Sequence, residues 1–141
     1  QLMPYLGIRE SRRIVGLKTL TSDILQTLPI PEDTVALSGY NVDIHGQTSG
    51  IMTMYPVAHA VGIPYGCLVP EKTEGLIIAG RPISVDQTIF GMTRVMSTCM
   101  ALGEAAGRAA RLALKAGVQP ADLDVEALRA ELRATGAYLR D

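Results

Sequence analysis

Two side chains in the first half of the sequence could take part directly in a reaction. His45 closes the segment VDIH, and its ordinary pKa of about 6.5 suits proton transfer at neutral pH. Tyr65 lies in the segment IPYG and could donate a hydrogen bond to a substrate carbonyl. Each residue also has a structural interpretation, because a histidine can bond a backbone carbonyl and a tyrosine can pack between Pro64 and Gly66. The sequence leaves both interpretations open.

A cluster of arginines near the start of the sequence could bind a carboxylate. Arg9, Arg12 and Arg13 stand close together in the segment RESRR, and a guanidinium group can bind a carboxylate through two parallel hydrogen bonds. The same segment contains Glu10, so the arginines could instead form an ion-pair cluster within the protein. Arg9 is therefore a third candidate catalytic residue, with a role in binding substrate.

The segment GLIIAGRPIS, residues 75–84, places a glycine and a cation at the end of a short apolar run. Residues 76–79 are typical of a strand, and Gly80 and Arg81 follow directly. A helical pattern then begins, and its first turns are uncharged except for Arg94. A strand end beside a helix N-terminus forms a polarised pocket that suits an electron-rich ligand. The alternative is that both arginines are surface cations and that the glycine only forms a turn.

The longest predicted element is a helix over residues 92–117, after a loop at 82–91. Its second half carries a charged stripe at helical spacing, which consists of Glu104, Arg108, Arg111 and Lys115. Gly117 ends the pattern, as is common at helix C-termini. Residues 95–102 contain no charge, so we expect this half to be buried on every side. Gly103 and Gly107 leave one face without side chains, which indicates that another backbone packs closely there.

The remaining elements are a mixture of short strands and helices. The patterns predict strands over residues 5–17, 35–45 and 63–70, a short helix over 21–28 stopped by prolines, and a final helix over 125–135. The expected fold class is therefore α+β, with short β-strands followed by a long helix and a terminal helix.

The composition excludes several classes of function. The 141 residues are 48% hydrophobic and 19% charged, with a net charge of -1, so the chain can bury one core but has no basic face for nucleic acid. Cys67 and Cys99 form no CxxC pair, which argues against a disulfide framework and a structural zinc site, and we expect no metal site. We find no signal-peptide pattern and no run of 18 apolar residues, and therefore expect a cytoplasmic protein without a membrane partner.

Residues 75–84 and 91–107 together resemble the C-terminal flavin motif of bacterial FAD-dependent oxidoreductases with the glutathione-reductase-type fold. The second of these segments reads GMTRVMSTCMALGEAAG. The resemblance extends upstream to residues 7–16, 39–46 and 63–70, and so covers nearly the whole sequence.

The resemblance implies that the sequence is the C-terminal portion of a two-domain FAD-binding α/β oxidoreductase that transfers a hydride between an organic substrate and flavin. In that family a GxGxxG motif holds the ADP half of FAD, and the sequence contains no such motif. Residues 1–70 would form part of the substrate (cap) domain, 71–119 the C-terminal part of the FAD-binding domain, and 120–141 a helical tail. The expected partners are the remainder of the polypeptide and a small-molecule substrate. We also expect self-association, because uncovered apolar surface promotes it.

The resemblance also assigns residues to the flavin site. Beside the cofactor it places Ala79, Gly80 and Arg81, and against the flavin pyrimidine edge it places the backbone at Arg94, Val95 and Met96. Reduced flavin carries negative charge at N1, which the positive end of a helix would stabilise. Without the nucleotide motif, we expect the sequence by itself neither to hold FAD nor to be active.

The sequence departs from the family pattern at two places. Many relatives have Thr-His where this sequence has Asp86 and Gln87, and an arginine where it has Gly66. Both places resemble the substrate side of the site, so the substrate is not indicated. A different interpretation is a stand-alone, non-catalytic α+β interaction module that binds a partner through residues 51–62.

Overall fold

A computed structural model describes residues 10–27, 30–45 and 52–140 of the chain. Its regular elements, in chain order, are α1 (Ile24–Thr27), β1 (Thr34–Ser38), β2 (Val42–His45), β3 (Met52–Tyr55), β4 (Val61–Pro64), α2 (Gln87–Thr93), α3 (Met96–Ala116) and α4 (Val125–Ala134). Short 3-10 turns lie at Tyr65–Cys67 and Pro120–Asp122. Mixed helices and short antiparallel strands confirm the α+β class.

The strands form two separate antiparallel pairs, β1 with β4 and β2 with β3. The single strand predicted over residues 35–45 is therefore wrong, because the chain turns between Ser38 and Val42 and sends its two halves into different sheets. Gly39 lies in that turn, and a glycine weakens a strand interior. β1 is the more deeply buried half, and Thr34, Val35, Ala36 and Ser38 are all buried.

Residues 14–20 form a largely exposed bridging segment that makes no strand ladder. The backbone N–H of Leu17 donates to Val69 (2.9 Å), and that of Leu20 donates to Ser84 (3.1 Å). Isolated bridges join Gly16 to Pro70 and Leu20 to Val85. The strand predicted over residues 5–17 is therefore not formed in its described part, and residues 1–9 lie outside the described residues.

Two other predicted strands are also shorter or missing. β4 ends at Pro64, where a 3-10 turn replaces the rest of the predicted strand 63–70. Residues 76–79 form no regular strand, and the N–H of Ile78 donates to the Leu68 carbonyl at 2.8 Å. These apolar segments make single backbone hydrogen bonds and pack against the core, but they pair with no neighbouring strand among the described residues. Their residue pattern is the same as that of a paired strand, so the sequence does not distinguish the two.

The long helix begins later than predicted and is preceded by a second helix. α2 occupies part of the predicted loop 82–91, because Asp86 caps it by accepting a hydrogen bond from Ile89 N at 2.8 Å. The helical conformation is interrupted at Arg94 and Val95, and Val95 is extended with ψ of 152°. α3 therefore starts at Met96 instead of residue 92.

The C-terminal part of the fold agrees with the sequence patterns. Gly117 adopts the left-handed conformation (φ of 69°) that ends α3, and Asp124 caps α4 by accepting from Ala127 N at 3.1 Å. Glu131 on α4 pairs with Arg108 on α3 at 3.1 Å and with Arg111. Hydrogen bonds from Arg111 and Arg108 hold the pKa of Glu131 below its usual range.

α3 has one buried face and one exposed apolar face. The buried face packs on β1 and α4 and consists of Thr98, Leu102, Ala105, Ala109 and Ala113. The exposed face is a continuous stripe, which we call the uncovered stripe, of Met96, Met100, Gly103, Gly107, Ala110 and Leu114. The expectation that residues 95–102 are buried on every side is wrong within this chain. The charged residues of α3 (Glu104, Arg108, Arg111 and Lys115) belong to neither of these two faces.

None of the helices in the described part of the chain combines the length with the apolar character that a bilayer crossing requires.

Candidate functional site at the α2–α3 junction

α2 lies directly on the backbone of β2, and a glycine makes this approach possible. A Cβ added to Gly91 would lie 2.8 Å from the carbonyl oxygen of Asp43 and 3.1 Å from its nitrogen. Such distances are too short for a real side-chain carbon, so only glycine fits. The junction between α2 and α3 is thereby held against the strand that ends at His45.

Arg94, at this junction, is anchored in the protein. Its Nη2 donates to the Asp43 backbone oxygen and lies at the same distance, 3.1 Å, from Asp43 Oδ2. The two side chains are 11% and 16% exposed. The guanidinium also lies over the buried ring of Phe90, with 5.7 Å between Cζ and the ring centroid. The alternative that both arginines are surface cations is therefore wrong for Arg94, which is mostly buried. Arg81 is exposed, as that alternative expects.

The N-terminus of α3 presents backbone donors at the surface of the chain. Val95 makes no side-chain cap, and Met96 at the first helical position is 84% exposed. The first N–H groups of an α-helix have no partner within the helix. Their partial positive charge favours an electron-rich group. The predicted backbone site at Arg94, Val95 and Met96 thus consists of an anchored side chain followed by exposed helix donors.

The segment with Ala79, Gly80 and Arg81 lies beside the first turn of α3. Gly80 has a positive φ of 80°, and a Cβ at this position would be 3.7 Å from Cys99 Sγ. The charge of Arg81 acts on the same thiol, although burial is the larger effect and raises the pKa of Cys99. The structure therefore brings the two predicted cofactor-binding segments together.

The chemistry of this donor set fits the pyrimidine edge of a flavin. That edge carries carbonyl oxygens and a ring nitrogen, which accept hydrogen bonds, and α3 offers exposed N–H donors to them. Gly80 leaves one side of the helix start free of a side chain. Met96 and Met100, which are 84% and 75% exposed, supply apolar surface next to the donors.

Of the three candidate catalytic side chains, the structure describes only that of Tyr65. His45 is the last residue of β2, two positions after Asp43, and its side chain lies outside what is described. Arg9 also lies outside the described residues, while Arg13 pairs with Glu10 at 2.6 Å, as the ion-pair alternative expects.

Tyr65 matches its structural interpretation. The side chain is 3% exposed, and its hydroxyl donates to the backbone oxygen of Pro120 at 2.9 Å. Burial raises the pKa of Tyr65 to about 12. In this arrangement the hydroxyl joins the 3-10 turn after β4 to the turn that precedes α4.

Both departures from the family pattern have packing reasons. The Asp86 carboxylate caps α2 and also accepts from Ser22 N at 2.6 Å, so it joins two parts of the fold. A Cβ at Gly66 would lie 2.9 Å from Cγ of Lys18 and 3.2 Å from the backbone nitrogen of Lys18. An arginine at this position would require Lys18 to shift.

Three residues that hold the site were missed by the sequence patterns. Asp43 and Gly91 lie within segments that resemble the family, but neither residue is predicted to hold the site. Ser38 Oγ donates to the Met92 carbonyl at 2.7 Å and lies 3.2 Å from the Thr98 hydroxyl, which donates to it. A polar residue two positions before a candidate histidine was the available signal for Asp43.

The thiol of Cys67 is buried and unreactive. Cys67 is fully buried, and desolvation raises its pKa to about 12, so the reactive thiolate form is suppressed at neutral pH. Among the described residues, no three His, Cys, Asp or Glu side chains are grouped as a metal ion would require.

Comparison with known families identifies the class of protein to which this fold and helix junction belong. A family model described as FAD dependent oxidoreductase matches residues 1–132. The chain belongs to the FAD-dependent oxidoreductase family, and its cofactor is FAD. No match was found among curated proteins or among solved structures.

Proposed function

We propose that this chain is the C-terminal portion of an FAD-dependent oxidoreductase that transfers a hydride between an organic substrate and flavin. The observation that carries the proposal is the exposed, uncapped N-terminus of α3 beside Gly80, in a chain whose family uses FAD. When bound, the flavin supplies the hydride chemistry. The chain supplies one wall of its site and part of the substrate domain.

In this proposal the first turn of α3 binds and orients the electron-rich edge of the flavin. Its N–H groups donate to that edge, and the helix terminus favours negative charge there by about 0.3–2 kcal/mol. Through its contacts with Asp43 and Phe90, Arg94 fixes the position of the residues that lead into α3. His45, at the end of the adjacent strand, remains the candidate for moving a proton to or from the substrate.

The uncovered stripe on α3 supports the proposal that the rest of the polypeptide is the main partner. Met100 and Leu114 are 75% and 84% exposed, and a Cβ at Gly103 or Gly107 would meet nothing within 4 Å. Such a smooth apolar face suits close packing of another backbone layer. By itself the chain then leaves this face uncovered, retains no FAD and self-associates.

A single donor at the helix start tests the proposal in the full-length enzyme. Met96→Pro removes one N–H at the first helical position, where proline is well tolerated. The preceding residue, Val95, already has the extended conformation that proline requires of its neighbour. Met96→Ala removes the same side chain but keeps the N–H, and is the matched control.

We expect Met96→Pro to release FAD about two- to twelvefold more readily than Met96→Ala, which corresponds to one hydrogen bond of about 0.5–1.5 kcal/mol. Thermal stability of the two apoproteins should agree closely. FAD content after dialysis, measured by absorbance, gives the result. Equal retention of FAD in both variants would show that this N–H does not contact the cofactor.

A further inference from the structure

The Arg94–Asp43 pair has a consequence for the electrostatics of the proposed flavin site. We propose that Asp43 is a positioning residue that offsets the charge of Arg94, so that the pair, and not the arginine alone, sets the reduction potential of the flavin. This inference rests on the function proposed above. It concerns a carboxylate on β2, whereas the cofactor-binding residues implied by the family resemblance lie at 79–81 and 94–96.

Asp43 fixes Arg94 in place through both its backbone and its side chain. Arg94 Nη2 lies 3.1 Å from the Asp43 carbonyl oxygen and 3.1 Å from Oδ2. The Arg94 N–H donates to the Phe90 carbonyl at 3.2 Å, and its guanidinium stacks on the Phe90 ring. The arginine therefore has one well-defined position, two residues before the first residue of α3.

The same position places opposite charges close together in a poorly solvated region. Both side chains are mostly buried, so water and salt screen the pair less than they screen a surface pair. A nearby group consequently experiences the difference between the two charges. Arg13 also lies over the Phe90 ring, with 5.2 Å between Cζ and the ring centroid, and is itself paired with Glu10 at 2.6 Å.

Removing each charge separately should therefore shift the flavin potential in opposite directions. Asp43→Asn leaves the positive charge of Arg94 without compensation, which favours the anionic reduced flavin and raises the midpoint potential. Arg94→Met leaves the negative charge of the Asp43 carboxylate without compensation and lowers the midpoint potential. The double variant removes both charges and should lie between the two single variants, close to the wild-type value.

We expect each single variant to change the ratio of affinities for reduced and oxidised flavin by about tenfold. For a two-electron couple this equals about 30 mV. Spectroelectrochemical titration of the full-length, FAD-loaded enzyme measures the potential. Asp43→Glu keeps the charge and should stay near wild type. Asp33→Asn is the matched control, because it breaks the pair with Lys18 at the start of β1 (2.8 Å) and should leave the potential unchanged.

The outcomes separate this inference from the proposed function. A full-length wild-type protein that binds no FAD would refute the proposed function. An enzyme that binds FAD but keeps one potential in both folded single variants would refute the role of Asp43. If Asp43→Asn does not fold, the comparison of Arg94→Met with the double variant decides, and equal potentials in those two variants overturn the proposal.

Discussion

The contact between α2 and β2 can be tested by adding one methyl group at Gly91. An ideal Cβ there would lie 2.8 Å from the Asp43 carbonyl oxygen and 3.1 Å from the Asp43 nitrogen. Both atoms belong to the backbone of a paired strand, so neither can move away alone. Gly91→Ala should therefore push α2 away from β2 and weaken the hold of Asp43 on Arg94.

The expected loss of stability follows from two opposing effects. Overpacking of a close contact costs about 1–3 kcal/mol, and contact with several backbone atoms places this substitution in the upper half of that range. Alanine gains up to about 1 kcal/mol over glycine within a helix. The net result is a decrease of about 1–3 kcal/mol in the free energy of unfolding.

Gly103→Ala provides the matched control because its site on α3 is open. An added Cβ there would meet nothing within 4 Å, so in dilute, monomeric chain only the helix propensity changes and the chain should gain up to about 1 kcal/mol. Urea denaturation of the purified chain, followed by circular dichroism, measures both variants. If Gly91→Ala were stabilising by as much as Gly103→Ala, the close contact between α2 and Asp43 would not exist.

Two further predictions concern buried and paired polar groups. The lowered pKa of Glu131 means that its ion pairs contribute stability above the unfolded pKa, near 4.5, and lose it as pH falls through the lower folded pKa. Between pH 7 and 3 the free energy of unfolding should consequently fall more steeply in wild type than in Glu131→Gln, and parallel curves would contradict this. Ser38→Ala should cost about 1–3 kcal/mol because it leaves the Met92 carbonyl and the Thr98 hydroxyl without their buried partner. The exposed control Ser97→Ala should stay within about 0.5 kcal/mol of wild type, and a Ser38→Ala variant as stable as this control would refute the bridging role.

Elements specified by local signals could be predicted from the sequence. α4 follows a capping aspartate and carries a clear amphipathic pattern, and Gly117 marks the end of α3 because a left-handed residue is needed there. The flavin motif at residues 75–84 and 91–107 likewise depends on residues close together in sequence. The α+β class and the FAD cofactor followed from these features.

Elements specified by tertiary contacts could not be predicted in this way. Arg94, at the break before Met96, contacts Asp43, a residue 51 positions away, and no local pattern encodes this contact. The bridging segment pairs through isolated bonds, which have no alternating pattern. Exposure of the uncovered stripe depends on what packs against α3, and residue type alone gave the opposite expectation.

The bridging segment also determines the order in which the chain can become structured. Thr19 within this segment and Ser22 just after it bond to Ser84 and Asp86, partners 65 and 64 positions later, so they leave the ribosome long before their partners do. Contacts between residues far apart in sequence form slowly, whereas α3 and α4 meet through a short connection and can pair early. During synthesis, Leu20 and Ser22 must therefore remain without their native partners until residues 84–86 have emerged, although Leu17 can already pair with Val69. The apolar side chain of Leu20 is open to aggregation for that interval.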